Sequence, residues 1–353
     1  MKLRLPQSIG IGHSRPAPVR PQSGARGATL PRIAHGVAVV AGAITIGLLA
    51  LTGSRADSLF DESVRAEMLK HRDGPVAHVE TEYNDLFIAK HNSFLVMSTR
   101  YRAESNIHSI VNLSDPDDMP AVYTRIMSAG LLYPETTGRV LMIGLGAGSV
   151  STYLARAMPE VRIDVVEIDP GVIATAKKYF GVQESDRLRI IEGDGRVYLN
   201  RHKELYDLIL VDAYRELGVP FHLLTKEFYA LVKERLAPGG AMAANIAGGT
   251  KLYVSTLVTL RAVFSTVDVY PEFEAAHEAQ LIAVAAATPA PGTETLMHRA
   301  EALQARYRFR YPLPGLVKKR IANYNAGTGE LLTDDFSPVN LYETVPLRPR
   351  KRQ

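Results

Sequence analysis

From residue 139 to residue 246 the chain repeats one pattern: a short apolar run, a turn, and a longer amphipathic stretch. The runs predict strands at 139–143, 162–167, 188–191, 207–212 and 241–246, with helices between them. In "DPGVIATAKKYFG" Asp169 reads as an N-cap, Pro170 as the first helical residue and Gly181 as the stop. A second helix starts at Thr225 and is expected to stop at Pro238-Gly239-Gly240. A further helix at about 251–264 and two late strands at about 266–270 and 279–286 complete the sheet. Repeated strand–helix units imply an α/β fold with a mostly parallel, doubly wound sheet. Ligands of such sheets bind beyond the carboxyl ends of the strands, so the residues there are the candidates for function.

The first strand, "VLMIGLGAGSV" (140–150), runs into Gly144, Gly146 and Gly148. The dinucleotide fingerprint G-x-G-x-x-G would need glycine at Ser149. The shorter G-x-G-x-G spacing suits a ligand without a pyrophosphate, whose arm passes over a backbone with no Cβ in the way. The second strand ends in Glu167, about 20 residues on, placed to accept from two ribose hydroxyls or to be a solvated strand end. The third ends in "EGDGR", where Asp194, followed by Gly195, is placed to accept from an adenine amino group or to form a turn. Together these point to an S-adenosyl ligand. The fourth, "YDLILVDAY", delivers Asp212, a carboxylate at the ligand edge that could take a proton from an ammonium, hold a cation, or cap a turn.

Ahead of this region, 57–72 reads as an amphipathic helix and 76–113 as antiparallel hairpins, followed by the turn cluster "SDPDDMP" and a helical pattern at 121–132. The proposed divisions are 1–35, 36–53, 57–130, 131–290 and 291–353. Residues 1–35 are rich in Pro, Arg and Gly and are expected to be disordered. Residues 36–53, "GVAVVAGAITIGLLALTG", carry no charge and are long enough to cross a bilayer core once. A membrane span or signal anchor, a cleaved export signal and an organelle leader are the alternatives. The basic tail expects a cytoplasmic N-terminus, with a single-pass protein of a bacterial inner membrane as the favoured location and the side of the body left open. Residues 1–56 hold seven bases and no acid, and the last six residues hold four more bases. Without these eleven, 30 bases face 37 acids, so the body is acidic by about 7 charges and nucleic-acid binding is not expected. There is no cysteine, and the ten histidines show no metal-ligand spacing, so no metal is expected.

The segments "VLMIGLGAGSV", "VVEIDPGVIATAKKYFG", "RIIEGDGRVYL", "YDLILVDAY", "VPFHLLTKEFYALVKERLAPGG" and "TDDFSPVN" resemble the spermidine synthase (polyamine aminopropyltransferase) superfamily, especially its membrane-linked, fused-transporter branch. The resemblance implies a Rossmann-like S-adenosylmethionine-methyltransferase fold behind a small antiparallel β domain, with the hydrophobic segment as an N-terminal helix. It implies decarboxylated S-adenosylmethionine as donor, a small-molecule amine as acceptor, a homodimer, and Asp212 as the proton acceptor.

The departures from the family pattern cluster at the amine end. Ala147 replaces an Asp in the glycine loop. Ala213, Tyr214 and Arg215 replace Ser-Ser-Asp, and Met119 and Pro120 replace an Asp-Glu pair ahead of Tyr123-Thr124-Arg125. Tyr83, Tyr123, Tyr214 and His222 are candidate pocket walls or plain core residues. Arg215 could pair with a ligand carboxylate, which would suit ordinary S-adenosylmethionine, or with Glu216. A methyltransferase and a non-catalytic, membrane-tethered adenosyl- or polyamine-binding protein are the alternatives to aminopropyl transfer.

Overall fold

Val140 and Met142 pack on one side of their strand, Leu141 and Ile143 on the other, and all four are buried. A strand buried on both faces needs a layer above and a layer below, and the computed structural model has both. It describes residues 59–99, 107–214, 218–272, 280–336, 338 and 342. They belong to one compact unit that starts at Asp57.

α1 (Glu62–Lys70) leads into a four-stranded antiparallel sheet of β1 (Gly74–Glu80), β2 (Asp85–His91), β3 (Phe94–Ser98) and β4 (Ile107–Asn112). α2 (Val122–Ile126) runs into a 3-10 turn at Met127–Leu132. Then come β5 (Arg139–Ile143), α3 (Ser149–Ala157), β6 (Arg162–Glu167), α4 (Pro170–Phe180), β7 (Leu188–Glu192), α5 (Gly195–Arg201) and β8 (Tyr206–Val211). A 3-10 turn at Phe221–Leu223 precedes α6 (Lys226–Glu234), β9 (Leu236–Ile246), α7 (Lys251–Val263), β10 (Thr266–Pro271), β11 (Leu281–Ala286), α8 (Thr293–Tyr307) and α9 (Leu313–Lys319).

The large sheet has the order β10-β11-β9-β8-β5-β6-β7. The small sheet and α3, α4, α8 and α9 share one core with the face of Val140 and Met142. α5, α6 and α7 share the other core with the face of Leu141 and Ile143. The reversal of order on either side of β5 and β8 puts the switch point at the carboxyl ends of these two strands, where Gly144 and Asp212 follow.

The sheet is mostly parallel, as expected; β11 alone runs antiparallel to its neighbours β9 and β10. Only residues 272–280 join β10 to β11, too few for the dozen or so residues of a parallel crossover. The helix stop expected at Pro238-Gly239-Gly240 lies inside β9 instead, which begins at Leu236 directly after α6. Pro238 lacks an N–H and Gly239 takes φ 78°, so they break the ladder where its register with β8 shifts between Tyr206 and Leu208.

Among the described residues no helix is long and apolar enough to cross a membrane. The hydrophobic run at 36–53, expected to form an N-terminal helix, lies outside the described residues, as do the basic tail 1–35 and Arg215.

Candidate active site

The turn after β5 is built from three left-handed glycines: Gly144 (φ 99°), Gly146 (φ 56°) and Gly148 (φ 76°). A Cβ on Gly144 would strike the Asp212 carbonyl oxygen, one on Gly146 the Ser109 hydroxyl, and one on Gly148 the Val182 side chain. Glycine is therefore required at these positions by backbone conformation and by the protein's own close approaches. The N–H groups of Gly144, Leu145, Ala147 and Gly148 donate to Val166 O, Glu167 Oε2, Ser109 Oγ and Leu145 O. A pyrophosphate needs such donors free. Their commitment inside the protein, with a carboxylate behind them, fits a ligand that is not an anion at this point.

Glu167 ends β6 and is buried. Its Oε2 accepts from Leu145 N (2.8 Å) and its Oε1 from Asp169 N (3.0 Å). Burial raises its pKa, and the two N–H donors oppose the shift. A carboxylate has about four acceptor positions, so two remain for hydroxyl donors such as those of a ribose. Asp169 Oδ1 caps α4 by accepting from Gly171 N (2.8 Å), as the sequence predicts. Its Oδ2 accepts from Thr81 Oγ1 (2.6 Å) and Asn84 Nδ2 (2.7 Å). These two residues flank Tyr83 in the β1–β2 turn, so the small sheet is pinned to the rim of the large one and Tyr83 stands half-buried there.

Asp194 caps α5, Oδ1 accepting from Val197 N (2.9 Å), while Oδ2 lies 2.7 Å from His222 Nε2. The His222 contact, more than the helix cap, holds the Asp194 pKa below its usual value against burial. Gly195 lets α5 start against β5, since a Cβ there would meet Ile143 Cγ2. Next to it, Arg196 donates in a fork to Asp334 (2.7 and 2.5 Å), and Thr225 Oγ1 donates to the same carboxylate (2.8 Å). The C-terminal "TDD" segment thus straps the starts of α5 and α6.

Asp212 follows β8 and its N–H donates to Ile143 O (2.9 Å), setting it beside the glycine turn. Asn245 Nδ2 donates to Asp212 Oδ1 (2.8 Å), and the Tyr123 hydroxyl donates to the same carboxylate. Burial pushes the Asp212 pKa up to about 6, against the pull of these two donors. The pKa of Tyr123 is raised far above its usual value, by burial first and by the Asp212 charge second, so Tyr123 is a neutral donor. Tyr214 donates its hydroxyl to Asn245 O (3.0 Å) and, with Ala213, Asn245 and Ala247, lines a cavity of about 100 Å³ between β8, β9, α6 and α7.

The sequence-predicted residues thus gather along one rim: Gly144, Gly146, Gly148, Glu167, Asp194, Gly195 and Asp212 at strand ends, with Tyr123 against Asp212 and Tyr83 at the hairpin. His222 is fixed against Asp194 by the 2.7 Å contact of its Nε2. Sequence reasoning missed Asn245, although a lone polar residue in the apolar run "AMAANI" is a legible signal. It also missed Ser109, Asn84 and Gln280, whose Nε2 donates to Asn245 Oδ1 (2.6 Å), because these roles depend on pairings distant in sequence. Arg125 Nε donates to Met119 O (2.5 Å), and its guanidinium lies over the Tyr311 ring.

Over 274 residues the chain is 34% identical to a polyamine aminopropyltransferase of Vibrio vulnificus, covering 73% of this chain and 88% of the relative. The chain belongs to the spermine/spermidine synthase family. A family model described as "Spermine/spermidine synthase domain" matches residues 119–271, which run from the turn before α2 to the end of β10. A polyamine aminopropyltransferase of Chromobacterium violaceum is 32% identical over 231 residues, 64% of this chain and 86% of the relative. The solved structure of a probable spermidine synthase from Corynebacterium glutamicum shares the fold, with TM-score 0.58 at 19% identity over 75% of this chain and 98% of that one.

Proposed function

We propose that the protein transfers an aminopropyl group from decarboxylated S-adenosylmethionine to a small-molecule amine. The observation that carries this reading is Asp212: a half-buried residue whose carboxylate, of raised pKa, accepts from Asn245 and Tyr123, and whose backbone lies directly against the glycine turn. Glu167 and Asp194 would take the ribose and the adenine, and four N–H groups of the turn after β5 are already committed inside the protein, in keeping with a sulfonium donor. Tyr83, Tyr123, Tyr214 and Arg215 are the residues proposed for the amine side.

The reaction is a displacement. The amine nitrogen forms a bond to the methylene carbon next to the sulfonium, and the carbon–sulfur bond breaks. Sulfur keeps the electron pair and leaves as methylthioadenosine. The nitrogen loses one proton, which passes to the Asp212 carboxylate. A carboxylate of pKa near 6 remains ionised at neutral pH and is a stronger base than an ordinary Asp. Tyr123 and Asn245 orient it, and binding both reactants on one rim supplies much of the rate by proximity.

The apolar run at 36–53 is proposed to anchor the body to a membrane, in keeping with the membrane-linked branch of the family, and a second copy of the chain is proposed as its partner. Membrane fractionation of the full chain against a chain lacking residues 2–56 tests the anchor. Release of both into the soluble fraction would overturn it.

Activity is tested by supplying the purified full chain with decarboxylated or ordinary donor and a panel of amines, with products read by mass spectrometry. Methylthioadenosine release that requires Asp212 is expected with decarboxylated donor. Methylated amine and S-adenosylhomocysteine from ordinary donor would replace the reading by methyl transfer, and no product with any pair would sink it.

A further inference from the structure

Two features singled out in the sequence, His222 and the C-terminal segment that opens with "TDD", have no part in the proton transfer. Arg196 links them at the adenine end of the rim. The C-terminal segment is tied along α7 and α6. Glu330 N donates to Ser255 Oγ (3.2 Å), Leu332 N to Thr259 Oγ1 (2.9 Å) and Asp334 N to Glu227 Oε2 (3.0 Å). Lys226 N donates to Leu332 O (2.8 Å), and the Leu332 side chain is fully buried. These ties bring Asp334 to a fixed place beside the starts of α5 and α6.

From Asp334 a line of contacts leads to Asp194. Arg196 Nη1 and Nη2 donate in a fork to the Asp334 carboxylate, and the buried Thr225 donates its hydroxyl to the same group. An exposed ion pair is worth little alone, but a fork with a third donor has a defined geometry. The same Arg196 Nη1 donates to His222 O (3.1 Å), so the fork also holds the 3-10 turn at Phe221–Leu223. His222 Nε2 then lies 2.7 Å from Asp194 Oδ2. A carboxylate can only accept, and this contact is the largest cause of the lowered Asp194 pKa, so Nε2 is a protonated nitrogen. Oδ1 accepts from Val197 N, so both oxygens of Asp194 are oriented and each keeps an acceptor position for a ligand. The Asp194 side chain is 21% exposed, which leaves it open to one.

We propose that the C-terminal segment is a positioning element of the donor site: Asp334, acting through Arg196 and His222, aims the Asp194 carboxylate at the amino group of the donor's purine. The inference rests on the reading of the site as one for an adenosyl donor, and adds to it residues outside the strand ends. A carboxylate oriented in advance need not be ordered when the ligand arrives. Loss of the aim is felt by a ligand that donates to Asp194 and not by one that lacks the donor. That difference separates positioning from general support of the fold.

The test measures by calorimetry how the full chain binds methylthioadenosine and the analogue whose purine lacks the amino group. The parent is expected to prefer methylthioadenosine by about tenfold to a hundredfold. In Asp334→Asn the methylthioadenosine Kd is expected to rise about threefold to thirtyfold, with the Kd of the analogue unchanged. His222→Leu removes the last contact of the line and should weaken methylthioadenosine at least as much, again sparing the analogue. The double variant should lose no more than His222→Leu alone, because both changes break one line. Equal losses for the two ligands, no loss in either variant, or additive losses in the double variant would overturn the assignment. Should Asp334→Asn melt too early to be measured, Arg196→Lys takes its place in the cycle. It keeps a charge beside Asp334 but cannot make the fork and the His222 contact together. Failure of both ligands to bind the parent would sink the adenosyl reading and this inference together. Tight binding by the parent with unselective losses in the variants would sink this inference alone.

Discussion

Asp212 is held ionised at neutral pH in a place where burial favours its neutral form. Asp212→Asn keeps the shape and can still accept from Asn245, but cannot take a proton. Methylthioadenosine release is expected to fall by about 10² to 10⁴. The sign of the linked stability follows from the raised pKa. A carboxyl whose folded pKa lies above its unfolded value stabilises the fold most when protonated, and that stabilisation is lost as pH rises through about 6. Asp212→Asn is therefore expected to raise Tm by a few degrees at pH 7.5 and to change it little at pH 4.5, as scanning calorimetry at the two values would reveal. In the parent, kcat/KM with a fixed amine is expected to gain its acid limb near pH 6. A limb that stays near pH 4 would remove Asp212 from the proton-transfer step.

At the scale of elements, the turn after β5 and the end of β8 constrain each other. Gly144 has φ 99°, and a Cβ there would collide with the Asp212 carbonyl oxygen. Gly144→Ala is expected to destabilise by at least about 2 kcal/mol in urea unfolding, from the left-handed backbone together with the collision. It should also lower kcat, since Asp212 must move. A second element contact is a buried tie: Arg320 Nε donates to Asp268 Oδ2 (2.7 Å) on β10, Tyr133 OH donates to the same oxygen (2.6 Å), and Asn323 N donates to Oδ1 (2.7 Å). Asp268→Ala strands the Arg320 guanidinium in the interior and is expected to cost about 3–5 kcal/mol by denaturant unfolding, with the donor affinity of the folded fraction unchanged. Much of this level was legible in the sequence. β5 and β6 fall on the predicted residues, and Asp169, Pro170 and Gly181 cap α4 as read, because apolar periodicity and capping chemistry are local. The start of β9 and the reversal of β11 were not legible, because a broken ladder and a return strand are decided by neighbours across the sheet.

On the scale of the whole molecule, the site is assembled from two sheets. Thr81 and Asn84 of the small sheet donate to Asp169, and Ser109 of β4 accepts from Ala147 N in the glycine turn. Thr81→Val removes a hydroxyl whose single proton goes to Asp169 and whose oxygen caps the turn by accepting from Asn84 N. It is expected to cost about 1–3 kcal/mol of stability. It should also weaken donor binding measured by calorimetry, while Asp85→Asn on the exposed face of the same hairpin leaves donor affinity unchanged.

By itself the sequence determined the strand–helix order, the glycine turn, and the acids at the ends of the second, third and fourth strands of the repeat, since each is written in a few adjacent residues. The tertiary structure decided what those residues hold. It showed the protein's own crowding at the glycine turn, and gave Asp194 to His222 and Arg125 to Tyr311. It also brought Asn245, and Gln280 behind it, to the edge of Asp212. These are pairings between residues tens to hundreds of positions apart, and side-chain hydrogen bonds and buried charges depend on distance in space, which the order of residues along a chain does not encode locally.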